Sequence, residues 1–221
     1  MKKKFKIILA SVLCLGVIII GGAVAFLASE SDQFDNTFIV GTVDAELIEV
    51  FNGEELTGGN SQTTSVPCTP GTTIDKKAYV KFTGNGRAFA YIRVDVPIDL
   101  CDQIVDENGA LTGETANAVT LNLDDVGLSR ENKWYYLNTA YGTTKEDEGI
   151  VSYYFYYIGY LDNENPQTLT SPIDSVSIAN MLIRNDDVGK NYDITVTAYA
   201  LQCNDPNALP TKVWHDSGLK F

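Results

Sequence analysis

Apolar and polar residues alternate at period two from one end of this chain to the other, and that alternation restricts its fold more than any other feature. Val43, Ala45 and Leu47 are set against Asp44 and Glu46, and Ala78, Val80 and Phe82 against Tyr79 and Lys81. Ala90, Ile92, Val94 and Val96 are set against Tyr91, Arg93 and Asp95, and the pattern returns in Val119, Leu121 and Leu123 and in Ile194, Val196, Ala198 and Ala200. Successive side chains of a strand point to opposite faces, so each run reads as a half-buried strand. No long segment carries helical spacing; short helical turns are expected only near 99–105 and 178–183. Thr83-Gly84-Asn85-Gly86-Arg87 separates two runs with residues that accept positive φ, which predicts one hairpin over 78–96. Asn52-Gly53 and Asn108-Gly109 mark further turns, and Gly58-Gly59-Asn60-Ser61 with the Thr/Ser stretch after it reads as a polar loop before Pro67. Many short strands with such punctuation predict an all-β fold, an antiparallel β-sandwich or jelly roll.

The beginning of the chain follows a different grammar. Lys2, Lys3, Lys4 and Lys6 precede a nearly uninterrupted apolar run over 7–28, as in a segment that directs export. Its length allows a membrane-spanning helix, which needs about 20 residues, as well as a cleaved signal. Small residues at Ala23, Ala25 and Ala28 place cleavage near Ala25 or Ala28, with retention as a single-pass anchor as the alternative. The expected organisation is a signal over 1–28 and one domain over 29–221 that opens with an extended segment, 29–42. Either way the domain lies outside the cell, secreted or at its surface, and touches the membrane only through the leader.

Loss of the leader removes four lysines and no acid, so the formal charge of −13 becomes four units more negative. Such a surface repels phosphate backbones, and nucleic acid is not an expected partner. Hydrophobic residues at 44% supply a core, which separates the chain from disordered acidic tails. Cys68, Cys101 and Cys203 remain after the leader; one bridge with one free thiol, or three free thiols, are both open.

Catalytic patterns are missing. The chain has one histidine, His215, whereas a common zinc protease needs His-Glu-x-x-His to present two imidazoles from one helical face. A serine triad would have to use that same histidine beside the C-terminus with no nucleophile elbow; a surface place on the last strand is the expectation for it. Gly84-Asn85-Gly86-Arg87-Ala88-Phe89 begins like a dinucleotide fingerprint but leads into a strand instead of a helix. Asp124-Asp125 and Asp186-Asp187 lack the spacing of a calcium loop and read as solvated turns. No catalytic residue, cofactor or metal is therefore expected, and the chain reads as a non-enzyme.

Two features suggest contacts instead. Trp134-Tyr135-Tyr136 and the run 153–160 put large rings on both faces of presumed strands, and Tyr153, Tyr157 and Tyr160 are candidates for stacking on a sugar or a partner; covering neighbouring strands is the plainer use. In the extended segment Phe34, Phe38 and Val40 fall on one face, separated by Asn36, as in a strand ready to join a neighbour's sheet. Burying three such side chains contributes roughly 4.5 to 9 kcal/mol before ordering costs, so ladder hydrogen bonds of about 0.5 to 1.5 kcal/mol each must add to it.

Several short motifs also follow one another in a recognisable order. They are 21–44 with its Gly-Gly-Ala leader end and Asn36-Thr37-Phe38-Ile39-Val40-Gly41-Thr42-Val43-Asp44, Pro70-Gly71-Thr72-Thr73-Ile74-Asp75-Lys76, and Gly86-Arg87-Ala88-Phe89-Ala90-Tyr91-Ile92-Arg93-Val94. Trp134-Tyr135-Tyr136, the tyrosine run ending in Tyr160-Leu161, and Ile194-Thr195-Val196-Thr197-Ala198-Tyr199-Ala200-Leu201-Gln202 complete the set. In this order they resemble the TasA/camelysin-like family of exported bacterial matrix proteins. The resemblance implies a jelly roll, processing by a dedicated signal peptidase of the endoplasmic-reticulum type, and self-assembly, or assembly with a related subunit, into extracellular biofilm fibres of a Gram-positive surface. Alternatives are a cell-surface carbohydrate- or ligand-binding module and a secreted metallopeptidase of the camelysin type. Segments 52–66 and 101–132 match no landmark of the family, and three mature cysteines depart from it.

Overall fold

The computed structural model describes residues 44–84, 86–127, 133–138, 142–145, 148–162, 168–183, 188–205 and 207–220. Within them the alternating runs become antiparallel strands. β1 (Ala45–Phe51) turns through Asn52 and Gly53, both at positive φ (50° and 83°), into β2 (Glu54–Thr57). That pair of left-handed residues matches the right-handed twist of the strands it joins. β3 (Ser61–Pro67), β4 (Thr73–Phe82) and β5 (Ala88–Pro97) follow, then the short pair β6 (Leu100–Cys101) and β7 (Ala116–Asn117). Next come β8 (Val119–Leu123), β9 (Trp134–Tyr136), β10 (Thr143–Lys145), β11 (Ile150–Leu161), β12 (Ile173–Ile178), β13 (Asn191–Gln202) and a single described helix, α1 (Pro210–Asp216).

Among the described residues one sheet runs β2-β1-β4-β12-β8 and the other β10-β11-β5-β13-β3, with β9 also paired to β11. The eight longer strands alternate between them: β1, β4, β8 and β12 lie in the first, β3, β5, β11 and β13 in the second. Leu47, Val80, Phe82, Ile92, Val94, Phe155, Val176, Ile194 and Val196 fill the space between, each at most 1% exposed. This is the expected all-β sandwich.

Its connections correct three local expectations. The segment 78–96 is not a hairpin: β4 pairs with β1 and β12, and β5 with β11 and β13, so the two strands lie in different sheets. Glycine-rich punctuation fits either connection, and what decides is that β5 is needed as a central strand with both faces covered; Ala88 to Ile92 are buried without a break. The Thr/Ser stretch before Pro67 is strand β3 and not a loop. Its outward hydroxyls pair across the ladder with β13, Ser61 with Thr197 at 3.0 Å and Thr63 with Thr195 at 2.7 Å, so the strand forms without an apolar outer face. Helical turns do not form at 99–105 or 178–183: Leu100–Cys101 is a strand, Ile178 ends another, and Ile104 bridges Met181. The described helix comes after β13, with Pro210 in its first turn, where a missing N–H costs nothing.

Candidate functional site

The outer edge of β8, unpaired among the described residues, carries the feature most suited to a partner. Among the described residues β8 has one strand neighbour, β12, through the register Ile178↔Val119 to Ile173↔Leu123. Val119 is buried in the main core, while Leu121 and Leu123 pack against that core only partly covered. On the other face Asn122 Nδ2 donates to Ser175 Oγ (3.1 Å) and Ser177 Oγ (2.7 Å), which fixes β8 on β12. The segment just before it is equally well held: Asn117 Oδ1 accepts from Asp99 N at 2.7 Å, and Ala118 N donates to Asp99 O. The result is a rigid five-residue edge with half-covered leucines, the geometry on which an added strand completes both ladder and core. The opposite margin of the same sheet differs, because β2 caps β1 there and Gln62 Nε2 donates to Leu47 O and Leu56 O.

The second sheet's corresponding margin is already occupied. β9 pairs with residues 155–157 of β11, β10 pairs with 150–152, and Leu137 N and Ile158 N donate to Tyr154 O and Lys133 O. Trp134 is fully buried and donates its indole N–H to Thr170 O at 2.9 Å, closing that side of the sandwich.

The candidate tyrosines separate accordingly. Tyr153 and Tyr157 are half-buried and pack against the main core, Tyr157 edge-on to Trp134 at 5.4 Å. Tyr160 is 40% exposed beneath the Arg87 guanidinium, 4.1 Å from its ring centre. The irregularity in β11 between Tyr156 and Tyr160 shifts the register by two residues and so keeps the strand's phase, which leaves Tyr160, opposite Phe89, on the outer face with Tyr154 and Tyr156 and not on the inner face of Tyr153 and Tyr157. The structure therefore does not bring the three together on one surface. Tyr154 and Tyr156 belong to a second apolar layer on the outer face of this sheet, with Phe89, Tyr91, Tyr199, Leu201, Cys203, Val213 and Trp214. α1 covers that layer: the Trp214 ring lies 5.0 Å from Tyr91, 5.4 Å from Tyr199 and 5.8 Å from Tyr154, and Tyr91 Oη donates to Pro210 O at 2.8 Å.

Comparison with family models, with curated proteins and with solved structures gave no match.

The other candidates fall in ordinary places. Cys68, Cys101 and Cys203 are all buried free thiols, with no bridge. His215 sits on α1 and not on the last strand; its side chain is 90% exposed, with Nδ1 3.6 Å from Asp216. Asp125, at φ 55°, uses its carboxylate to shape the chain after β8, accepting from Lys133 N (2.9 Å) and Thr170 Oγ1 (3.3 Å). It lines, with Asp124, Lys77, Tyr79 and Ser171, an open depression on the outer face of the first sheet. No grouping of three metal-ligating side chains occurs among the described residues. Ala23, Ala25, Ala28, Phe34, Phe38, Val40 and Asp186-Asp187 lie outside the described residues.

Sequence reasoning passed over one group altogether. Glu49 of β1, Lys76 of β4 and Thr64 of β3 all point between the sheets, and the Lys76 and Glu49 side chains have no exposed surface. Lys76 Nζ contacts Glu49 Oε1 and donates to Thr64 Oγ1 at 3.0 Å; Thr64 Oγ1 in turn donates to Glu49 Oε2 at 2.7 Å. Burial pushes the Lys76 ammonium below the usual lysine range, with Glu49 pulling the other way. The available signal was positional: Glu49 continues the inward phase of Ala45 and Leu47, and Lys76 precedes that of Ala78, Val80 and Phe82.

Proposed function

We propose that the chain is an exported structural protein that forms or decorates the extracellular fibres of a biofilm matrix, assembling by strand addition at the outer edge of β8. The observation that carries the reading is the pairing of an unfinished edge with a suitable strand. β8 offers half-covered Leu121 and Leu123 and has one described neighbour, and the segment before β1 carries Phe34, Phe38 and Val40 in strand phase. In the assembly this segment of one subunit lies beside β8 of the next, and its apolar residues extend the core over the two leucines. Leader removal frees the segment, so cleavage is the assembly switch. The ordered set of motifs similar to the TasA/camelysin-like exported proteins, and the acidic surface, support placing the product outside the cell, with a related subunit as the other candidate partner.

The test is electron microscopy of the mature protein beside an uncleaved or N-terminally extended form. Filaments from the mature form alone support the reading; filaments from both, or from neither, overturn it. Phe38→Asp and Leu121→Lys, on the donor and acceptor sides, should each abolish filaments while the circular dichroism of the monomer stays that of a folded β protein.

A further inference from the structure

The Glu49–Lys76–Thr64 group has the makings of a covalent bond, and we propose that Lys76 and Glu49 condense into an intramolecular amide that joins β1 to β4. The Lys76 and Glu49 side chains meet with no exposed surface, and Thr64 beside them is buried as well. A buried carboxylate and ammonium lose the hydration that keeps such a pair ionised and unreactive in solution, and burial already shifts Lys76 toward its neutral, nucleophilic form. The partners come from adjacent antiparallel strands but are not directly opposite: Glu49 is in register with Ala78 and Lys76 with Phe51. They form the diagonal pair on the inward face, a separation that two long side chains span.

The step balances within the group. A proton passes from Lys76 Nζ to Glu49 Oε1, giving a neutral amine beside a neutral acid. The Nζ lone pair attacks Cδ, and negative charge develops on Oε2, the oxygen to which the Thr64 hydroxyl donates. The C–Oε1 bond breaks, Oε1 takes a second proton from Nζ, and one water departs. Oε2 remains as the amide carbonyl oxygen, still hydrogen-bonded to Thr64. No oxidant, cofactor or added reagent is consumed. Thr64 is a positioning residue: it accepts from Nζ and donates to Oε2, which holds nucleophile and carboxyl in place.

The bond would cross-link strands in the part of the sandwich that immediately follows the N-terminal segment. A load applied through that segment enters at β1, and β1 would then be tied to β4 covalently as well as by its ladder.

Mass spectrometry of a protease digest of the purified full chain tests this. The expected product is a branched peptide joining the stretch with Glu49 to the stretch with Lys76, lighter than its two arms by one water and uncut by trypsin after Lys76. Recovery of both residues only in separate linear peptides of full mass overturns the proposal. Lys76→Arg keeps the charge but supplies no amine, so the branched peptide must vanish; its persistence through another lysine overturns the assignment. Thr64→Val should slow bond formation by about a hundredfold, the lower end of what losing one donor to a developing oxyanion costs, and Thr64→Ser should restore it. Equal rates in all three would overturn the role given to Thr64.

Discussion

The two apolar layers of this protein are built on different principles. Between the sheets the filling is largely aliphatic, from Leu47 and Val80 to Ile194 and Val196, and it encloses the Lys76 and Glu49 side chains. Under α1 the filling is aromatic, with Tyr91, Tyr154 and Tyr199 around Trp214, and its polar atoms lie at the ring tips, where Tyr91 Oη reaches Pro210 O. The first layer needs two sheets that form together; the second needs only one finished sheet and a seven-residue helix laid on it. The contrast shows how one strand, β5, serves both: Ile92 and Val94 face the first layer, Phe89 and Tyr91 the second.

The contrast breaks most readily at the buried pair. Lys76→Met leaves the Glu49 carboxylate in a dry niche without its cation, and urea unfolding should record a loss of about 3–5 kcal/mol. Lys76→Met combined with Glu49→Leu should recover the part of that loss that comes from the stranded carboxylate, because an apolar pair of similar volume suits the rest of the layer, but not the part that comes from the lost amide. If the double variant is as unstable as the single one, the polar group is not an interchangeable part of the aliphatic layer. In the aromatic layer, Trp214→Ala should cost about 3 kcal/mol, the lower end for a buried tryptophan, because α1 can settle toward the sheet. Near-ultraviolet circular dichroism should lose the signal of the Tyr91, Tyr154 and Tyr199 rings while the far-ultraviolet β spectrum remains.

The two layers were not equally legible. Period-two patterning picks out the inward residues of β1, β4, β5, β8 and β13, because a half-buried strand writes its environment directly into alternate positions. It does not say which strands are neighbours, and Gly84 to Arg87 looked like a hairpin because a tight turn and an arch between sheets use the same residues. β3 was hidden for another reason: its outward face is held by Ser and Thr hydroxyls, so a strand presented itself as a polar loop. The second layer left a visible trace, rings on both faces of 153–160, but what covers it lies some fifty residues further along, in a helix too short to show a period. Of the candidate contacts, Tyr153 and Tyr157 proved to face inward and Tyr160 outward, which period-two alternation along β11 already separates; what the pattern did not announce is which of the two faces lies against the other sheet.

Alkaline titration sharpens the comparison, because tyrosines stand in both layers. Burial raises the Tyr91 phenol in the aromatic layer, and burial with the hydrogen bond to Asp99 raises that of Tyr192 beside the main core. A phenol raised in the folded state keeps its proton after the unfolded chain, near pH 10, has released it. The contribution to stability is therefore complete below about pH 10 and is lost as pH rises toward the folded value, at about 1.4 kcal/mol per pH unit for each such tyrosine. Unfolding midpoints measured from pH 8 to pH 11 should stay level and then fall, and tyrosinate absorbance should rise together with unfolding. Absorbance from Tyr91 and Tyr192 in the still-folded protein would show that neither layer keeps its phenols dry.

Tyr91→Phe separates the hydroxyl's share from the ring's. The phenyl group fills the same space against Trp214, so packing is retained, and what goes is the 2.8 Å bond to Pro210 O. Its net worth is about 1 kcal/mol at neutral pH, with α1 rather than the strands feeling the loss. Hydrogen exchange should report it as faster opening at residues 210–216 with the β5 and β13 amides unchanged. The same variant removes one raised phenol, so its stability should fall less steeply above pH 10 than that of the parent. If neutral stability drops across the whole sandwich instead, the helix and the sheets open as one unit, and the aromatic layer is part of the main fold and not an addition to it.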